Sequence, residues 1–190
     1  MGDGIAMMDI DILQQMINDG TKVPVFDKRG KKYVELSEPQ QPNTVVTVMG
    51  LPNSVIVIKA DMFRSPDAVF KGCQGECKRA DFVIVADTGT KKRILCIEMK
   101  TKKGPGKEVI QQLAGAKCFI VYCQEVGKCF WNTKDFLEDY SFRFVSITRT
   151  SLPKRRTRIE RSGDTHDRPE KMLKISYPGR LQFEHLAGKT

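Results

Sequence analysis

The chain has 190 residues, 40% of them hydrophobic, and carries 32 Lys and Arg against 23 Asp and Glu, a formal net charge of +9. That length suits one domain with a sizeable core, and the modest apolar fraction points to polar extensions. No apolar run approaches the roughly 20 residues of a membrane helix, the N-terminus lacks a signal-peptide pattern, and the six cysteines do not read as a secreted disulfide scaffold. A cytoplasmic protein with reduced thiols is expected, with no membrane partner. The positive balance favours a polyanionic partner, nucleic acid first.

In chain order, residues 1–8 read as a flexible start. Residues 9–19 carry Ile10, Leu13, Met16 and Ile17 at helical spacing, with Asp9 as the N-cap and Gly20 as the stop. Residues 23–26, 32–36 and 44–49 read as short strands, joined by a basic turn (28–31) and a Pro-rich loop (38–43). Residues 55–58 form a compact apolar strand.

The stretch 79–102, RADFVIVADTGTKKRILCIEMKTK, carries the densest pattern. Asp81 leads into an apolar run, a Gly-containing polar turn follows, and a second apolar run ends in Glu98-Met99-Lys100. This is a β-hairpin pattern. Alternation puts Glu98 and Lys100 on one face and Leu95, Ile97 and Met99 on the other. An antiparallel pairing brings Asp81 to the end of the second strand, so two carboxylates and an ammonium meet at a sheet edge. Pro66-Asp67 offers another acid upstream. Asp81 is preferred because its strand runs directly into that of Glu98, and 65–67 reads as a turn or helix start.

A basic loop with Lys102, Lys103 and Lys107 follows, then a helix over 107–117 and a strand over 118–123. Gln111 and Gln112 lie between that helix's apolar positions. Residues 134–140 and 142–148 read as an extra helix–strand unit at the far side of the sheet. From 149 the composition turns basic, with Lys154, Arg155, Arg156 and Arg158, and 171–186 reads as two strand-like patches around a turn. The division is therefore a core domain over 1–150 and a basic arm with a terminal hairpin over 151–190. Cys96, Cys118 and Cys123 fall in apolar runs, where buried thiols are expected. The cysteine spacing fits no zinc or cluster signature, and His166 and His185 stand apart.

The acid of Asp81, the hairpin, Glu98-Met99-Lys100 and the helix and strand after it resemble the PD-(D/E)xK nuclease superfamily, over roughly residues 55–125. The resemblance implies an α/β (α+β) restriction-endonuclease-like core: a central mixed β-sheet flanked by helices, here with added N-terminal strands and a basic C-terminal extension. It implies a DNA endonuclease hydrolysing phosphodiester bonds with Mg²⁺, or Mn²⁺ in its place. Asp81, Glu98 and the Met99 carbonyl would hold the ion, Lys100 would assist at the phosphate, and a helical glutamine, Gln111 or its neighbour, would support the site. Lys102, Lys103, Lys107, Lys154, Arg155, Arg156 and Arg158 would contact phosphates. DNA is the expected partner, with RNA open, and a homodimer follows from the resemblance alone. A nucleic-acid-binding protein on the same fold, without cleavage, is the alternative.

Overall fold

The computed structural model describes residues 7–37, 45–64, 66–100, 106–148, 158–159, 165–176 and 179–188. They form an α/β molecule in three layers. The middle layer is a six-stranded mixed sheet in the order β4-β5-β6-β7-β9-β8, with β4 Ser54–Lys59, β5 Phe82–Asp87, β6 Lys92–Lys100, β7 Ser141–Thr148, β8 Arg158–Ile159 and β9 Leu173–Ser176. The second sheet is β1-β2-β3-β10, with β1 Val25–Lys28, β2 Lys31–Ser37, β3 Val45–Leu51 and β10 Arg180–Gln182. Three helices complete the fold: α1 Asp9–Met16, α2 Gly106–Phe130 and α3 Phe183–Ala187.

Period-2 alternation sorts the large sheet's side chains onto two cores. Val83, Val85, Ile94, Cys96 and Phe144 pack under α1 and α2. Phe82, Ile84, Leu95, Ile97, Met99 and Val145 pack against Val34, Leu36, Val46 and Val48 of the smaller sheet. A sheet covered on both faces needs apolar strands throughout, and β5 is buried from Phe82 to Ala86.

β4, β5 and β6 run as an antiparallel meander. The β5–β6 turn is closed by Thr88 N–H to the Lys91 carbonyl at 3.0 Å. The Asp87 carboxylate accepts the Gly89 N–H at 2.7 Å, with Gly89 at φ 82°, a region glycine enters without steric cost. β7 then pairs parallel to β6, Ile97 facing Val145. A parallel neighbour requires a crossover, and α2 supplies it.

Several sequence expectations change. Residues 118–123 are helix, not strand: α2 continues to Phe130, burying Val109, Leu113, Ala116, Ile120 and Cys123 along one face. Cys118 therefore lies exposed on the outer side of α2, while Cys96 and Cys123 are buried, all three as free thiols. Burial raises both buried thiols, that of Cys123 to about 12.

The strand at 142–148 is not peripheral but sits beside β6 in the sheet interior, and 134–139 forms turns rather than a helix. The terminal hairpin is absent as well. β9 pairs with β7 in the large sheet, whereas β10 pairs with β3 in the small one. Finally, α1 ends at Met16, and Met8, not Asp9, is its N-cap. The Asp9 carboxylate instead accepts the Leu137 N–H at 3.2 Å, tying α1 to the chain after α2.

Candidate active site

Asp81, Glu98 and Lys100 gather at one end of the central strands. β5 and β6 pair with Phe82 opposite Ile97, so the next register step sets Asp81 opposite Glu98. Both side chains then point to the helix-covered face. Asp81 is fixed on two sides: its carbonyl accepts the Ala60 N–H at 2.9 Å, and its Oδ2 accepts the Met99 N–H at 2.6 Å. A backbone donor to a carboxylate makes a charge-assisted hydrogen bond that helps aim it. Asp67 is exposed in a turn closed by Val69 and Phe70 N–H bonds to the Pro66 carbonyl.

Glu98 is the more enclosed acid. Its side chain is 1% exposed, and Lys100 Nζ sits 2.9 Å from its Oε1. The alternation of β6 sets this pair, since residues two apart share a face. Burial works against the Lys100 charge, but the hydrogen bond and charge of Glu98, then Glu108 and Asp81, outweigh it. The ammonium is held above the usual lysine range.

The sequence reading did not single out Glu108. It lies in the first turn of α2, close enough to act on Lys100, and stands 3.9 Å from Lys78. The usable signal was position: an acid opening the helix that follows the Glu98–Lys100 strand. A carboxylate there also suits the positive end of the helix.

Gln111 faces another task. Its Nε2 donates to the Gln74 carbonyl at 2.7 Å, clasping the loop in which Glu76 accepts the Gly72 and Gln74 N–H groups at 2.9 and 2.8 Å. The side-chain oxygen of Gln112, by contrast, is buried with no hydrogen-bond partner among the described residues. Lys107 is exposed at the start of α2. Lys102, Lys103, Lys154, Arg155 and Arg156 lie outside the described residues, and Arg158 is described only as part of the β8 backbone.

Two carboxylates and a strand-end carbonyl form an all-oxygen donor set. Such a set suits a hard divalent cation that keeps several waters. Among the described residues, no group of three or more His, Cys, Asp and Glu is placed to hold a metal. Comparison with family models, with curated proteins and with solved structures finds no match for this chain.

Proposed function

We propose that this chain is a divalent-metal-dependent nuclease of PD-(D/E)xK type, acting on DNA. One observation carries the reading: the Asp81 carboxylate takes the N–H of Met99, the residue between Glu98 and Lys100, and Lys100 is bound to Glu98. The order of elements supports it: helix α1, the meander β4–β5–β6, helix α2, then β7 parallel to β6. This is the order in which the resembled core sets its first helix, its acid-bearing hairpin, and the helix and strand that follow.

In this reading Asp81, Glu98 and the Met99 carbonyl hold Mg²⁺, which when bound would lower the pKa of a water and draw charge from the phosphate. The chain's own groups have distinct tasks. The Met99 N–H orients Asp81, and Lys100 places a cation where negative charge develops on the phosphate oxygen. Lys107, with Lys102, Lys103, Lys154, Arg155, Arg156 and Arg158, attracts the nucleic-acid backbone.

The test is plasmid incubated with protein and Mg²⁺. Nicking or linearisation by wild type, absent with chelator and absent in Glu98→Ala, is the expected result. Equal background from wild type and Glu98→Ala defeats the reading. One observation favours binding without cleavage as a second reading: Glu98 is almost fully enclosed, and Lys100 already occupies its Oε1. That reading expects salt-sensitive DNA retention and intact plasmid.

A further inference from the structure

The smaller sheet has an outer face that the proposed nuclease does not use. Its inner face, with Val34, Leu36, Val46 and Val48, is buried against the large sheet. Alternation turns Phe26, Tyr33 and Met49 the other way. Strand pairing sets these three in one row: Phe26 lies opposite Tyr33, and Tyr33 opposite Met49. The helices pack elsewhere. Residues of α1 and α2 cover the large sheet, and α3 buries Phe183 and Leu186 between the sheets.

Phe26 is 45% exposed, and Tyr33 and Met49 are half-buried. The Phe26 and Tyr33 rings have centroids 5.5 Å apart and planes 31° from parallel. A single exposed ring is ordinary. Two rings and a thioether in register on one sheet face make a platform.

The platform is bordered by the β1–β2 turn, which is basic. Lys28 pairs directly opposite Lys31, and each is two residues from a ring, so both share the face of Phe26 and Tyr33. Between them Arg29 stands at φ 56° and Gly30 at φ 74°. Lys28, Arg29 and Lys31 are all exposed. Like charges directly opposite each other destabilise a strand pair, and a two-residue turn of this hand favours Asn or Asp where Arg29 sits.

Nothing nearby neutralises this tip. Among the described residues, none of the three cations makes an ion pair within 4.0 Å. The Asp27 carboxylate accepts the Gly30 N–H at 2.9 Å and closes the turn. Glu35 lies beyond Tyr33, opposite Thr47. An anion from outside would relieve the repulsion between Lys28 and Lys31.

Rings beside uncompensated cations fit a partner with flat apolar faces and a repeating negative charge. Protein-binding patches are instead depleted of lysine. In duplex DNA, neighbouring base pairs hide the base faces. In a single strand each base can lie on a ring while its phosphates meet cations.

We propose that the outer face of the smaller sheet binds single-stranded nucleic acid, with bases stacked on Phe26 and Tyr33 and phosphates held by Lys28, Arg29 and Lys31. DNA and RNA share this chemistry. The smaller sheet covers the face of the large sheet that carries Ile97 and Met99, and Glu98 alternates to the opposite face. The site therefore stands apart from Asp81 and Glu98 and does not depend on the nuclease reading.

The test is fluorescence anisotropy of the full chain with labelled oligo-dT, oligo-rU and a DNA duplex, each of about 15 nucleotides or base pairs, in chelator so that nothing is cut. At least one single strand should bind roughly tenfold tighter than the duplex, and the tighter of the two identifies DNA or RNA. Phe26→Leu keeps an apolar side chain and removes the ring. It should weaken single-strand binding roughly 5- to 150-fold, the range of one base–aromatic stack, with duplex affinity and Tm close to wild type. Phe26→Trp should keep the binding. Lys28→Gln should lower the slope of log affinity against log salt by about 1.

Equal affinity for single strand and duplex overturns the proposal, as does Phe26→Leu binding both single strands like wild type, or Phe26→Trp losing as much as Phe26→Leu. A dimer on light scattering that Phe26→Leu dissociates, with nucleic-acid affinity unchanged, assigns the face to a second copy and also overturns it. A protein that binds single strands in this way but cuts no plasmid defeats the nuclease reading alone.

Discussion

Asp81 reaches beyond its cross-strand neighbour: its Oδ2 accepts the N–H of Met99 at 2.6 Å, one residue past Glu98. This backbone hydrogen bond helps set the carboxylate's aim, and an amide in its place can keep that contact while losing the charge. Asn at this site can still accept the Met99 N–H through its amide oxygen. Asp81→Asn should leave Tm nearly unchanged while lowering Mg²⁺-dependent plasmid cleavage at least about 100-fold. Cleavage at the wild-type rate would remove Asp81 from the proposed metal site.

The Glu98–Lys100 pair makes a stability prediction that holds even if the protein cuts nothing. Lys100→Met leaves an enclosed carboxylate without its ammonium. Breaking a buried pair costs about 3–5 kcal/mol, and the 23% exposure of Lys100 places this one at the lower end. The Lys100 pKa is raised in the fold, so the pair's contribution is complete below the ordinary lysine value of 10.5 and fades as pH climbs through the higher folded value. Urea unfolding of wild type and variant should show a constant gap around neutrality that closes in alkali. A gap that closes near neutrality would contradict the geometry.

Asp9 shows the opposite sign. Burial raises its pKa against the lowering effect of the Leu137 N–H bond. An acid whose folded pKa is raised makes the fold lose stability as pH climbs from its ordinary value through the folded one, because the fold disfavours the charged form. Asp9→Asn keeps an acceptor for Leu137 and removes the charge. Its Tm should exceed that of wild type at neutral pH, and the two should converge as pH falls below the ordinary Asp value of 3.8. A variant less stable than wild type at pH 7 would mean that the Leu137 bond needs the full carboxylate.

The hairpin and its three charged residues were legible because two rules coincide there: alternation assigns faces, and a short Gly turn enforces antiparallel register. Where one rule acted alone, the reading slipped. Residues 118–123 are rich in β-branched and aromatic side chains and look like a strand in isolation. Yet Val109, Leu113, Ala116, Ile120 and Cys123 keep one helical face with no turn residue at 117–118, and packing on the sheet decides for helix. β9 and β10 were recognisable as strands but not as strands of different sheets, because alternation reports a buried face and is silent on which partner supplies the hydrogen bonds. Arg93 and Arg143, buried near the starts of β6 and β7, gave no signal either, since a charged residue near the start of a strand ordinarily faces water.

The contact between α2 and the loop preceding Asp81 yields the sharpest packing prediction. Gly115 lies buried in the middle of α2, and a Cβ there would overlap the Lys78 carbonyl. That atom is backbone and cannot rotate aside. Ala is favoured over Gly in a helix interior by about 1 kcal/mol, so the sign depends on whether the loop can withdraw. It is held in place by the Gln111–Gln74 bond and by Arg79, which donates to the Glu76 carbonyl and lies over the Phe63 ring. Overpacking should therefore win: Gly115→Ala should lose about 1–3 kcal/mol, or roughly 2–12 °C in Tm. Gly106→Ala, where an added Cβ meets nothing within 4 Å, should stay within about 1 kcal/mol of wild type. Because Asp81 follows Lys78 by three residues, Gly115→Ala should also weaken plasmid cleavage at temperatures where it remains folded, and Gly106→Ala should not. Equal Tm for the two variants would show that the loop yields freely and does not brace Asp81.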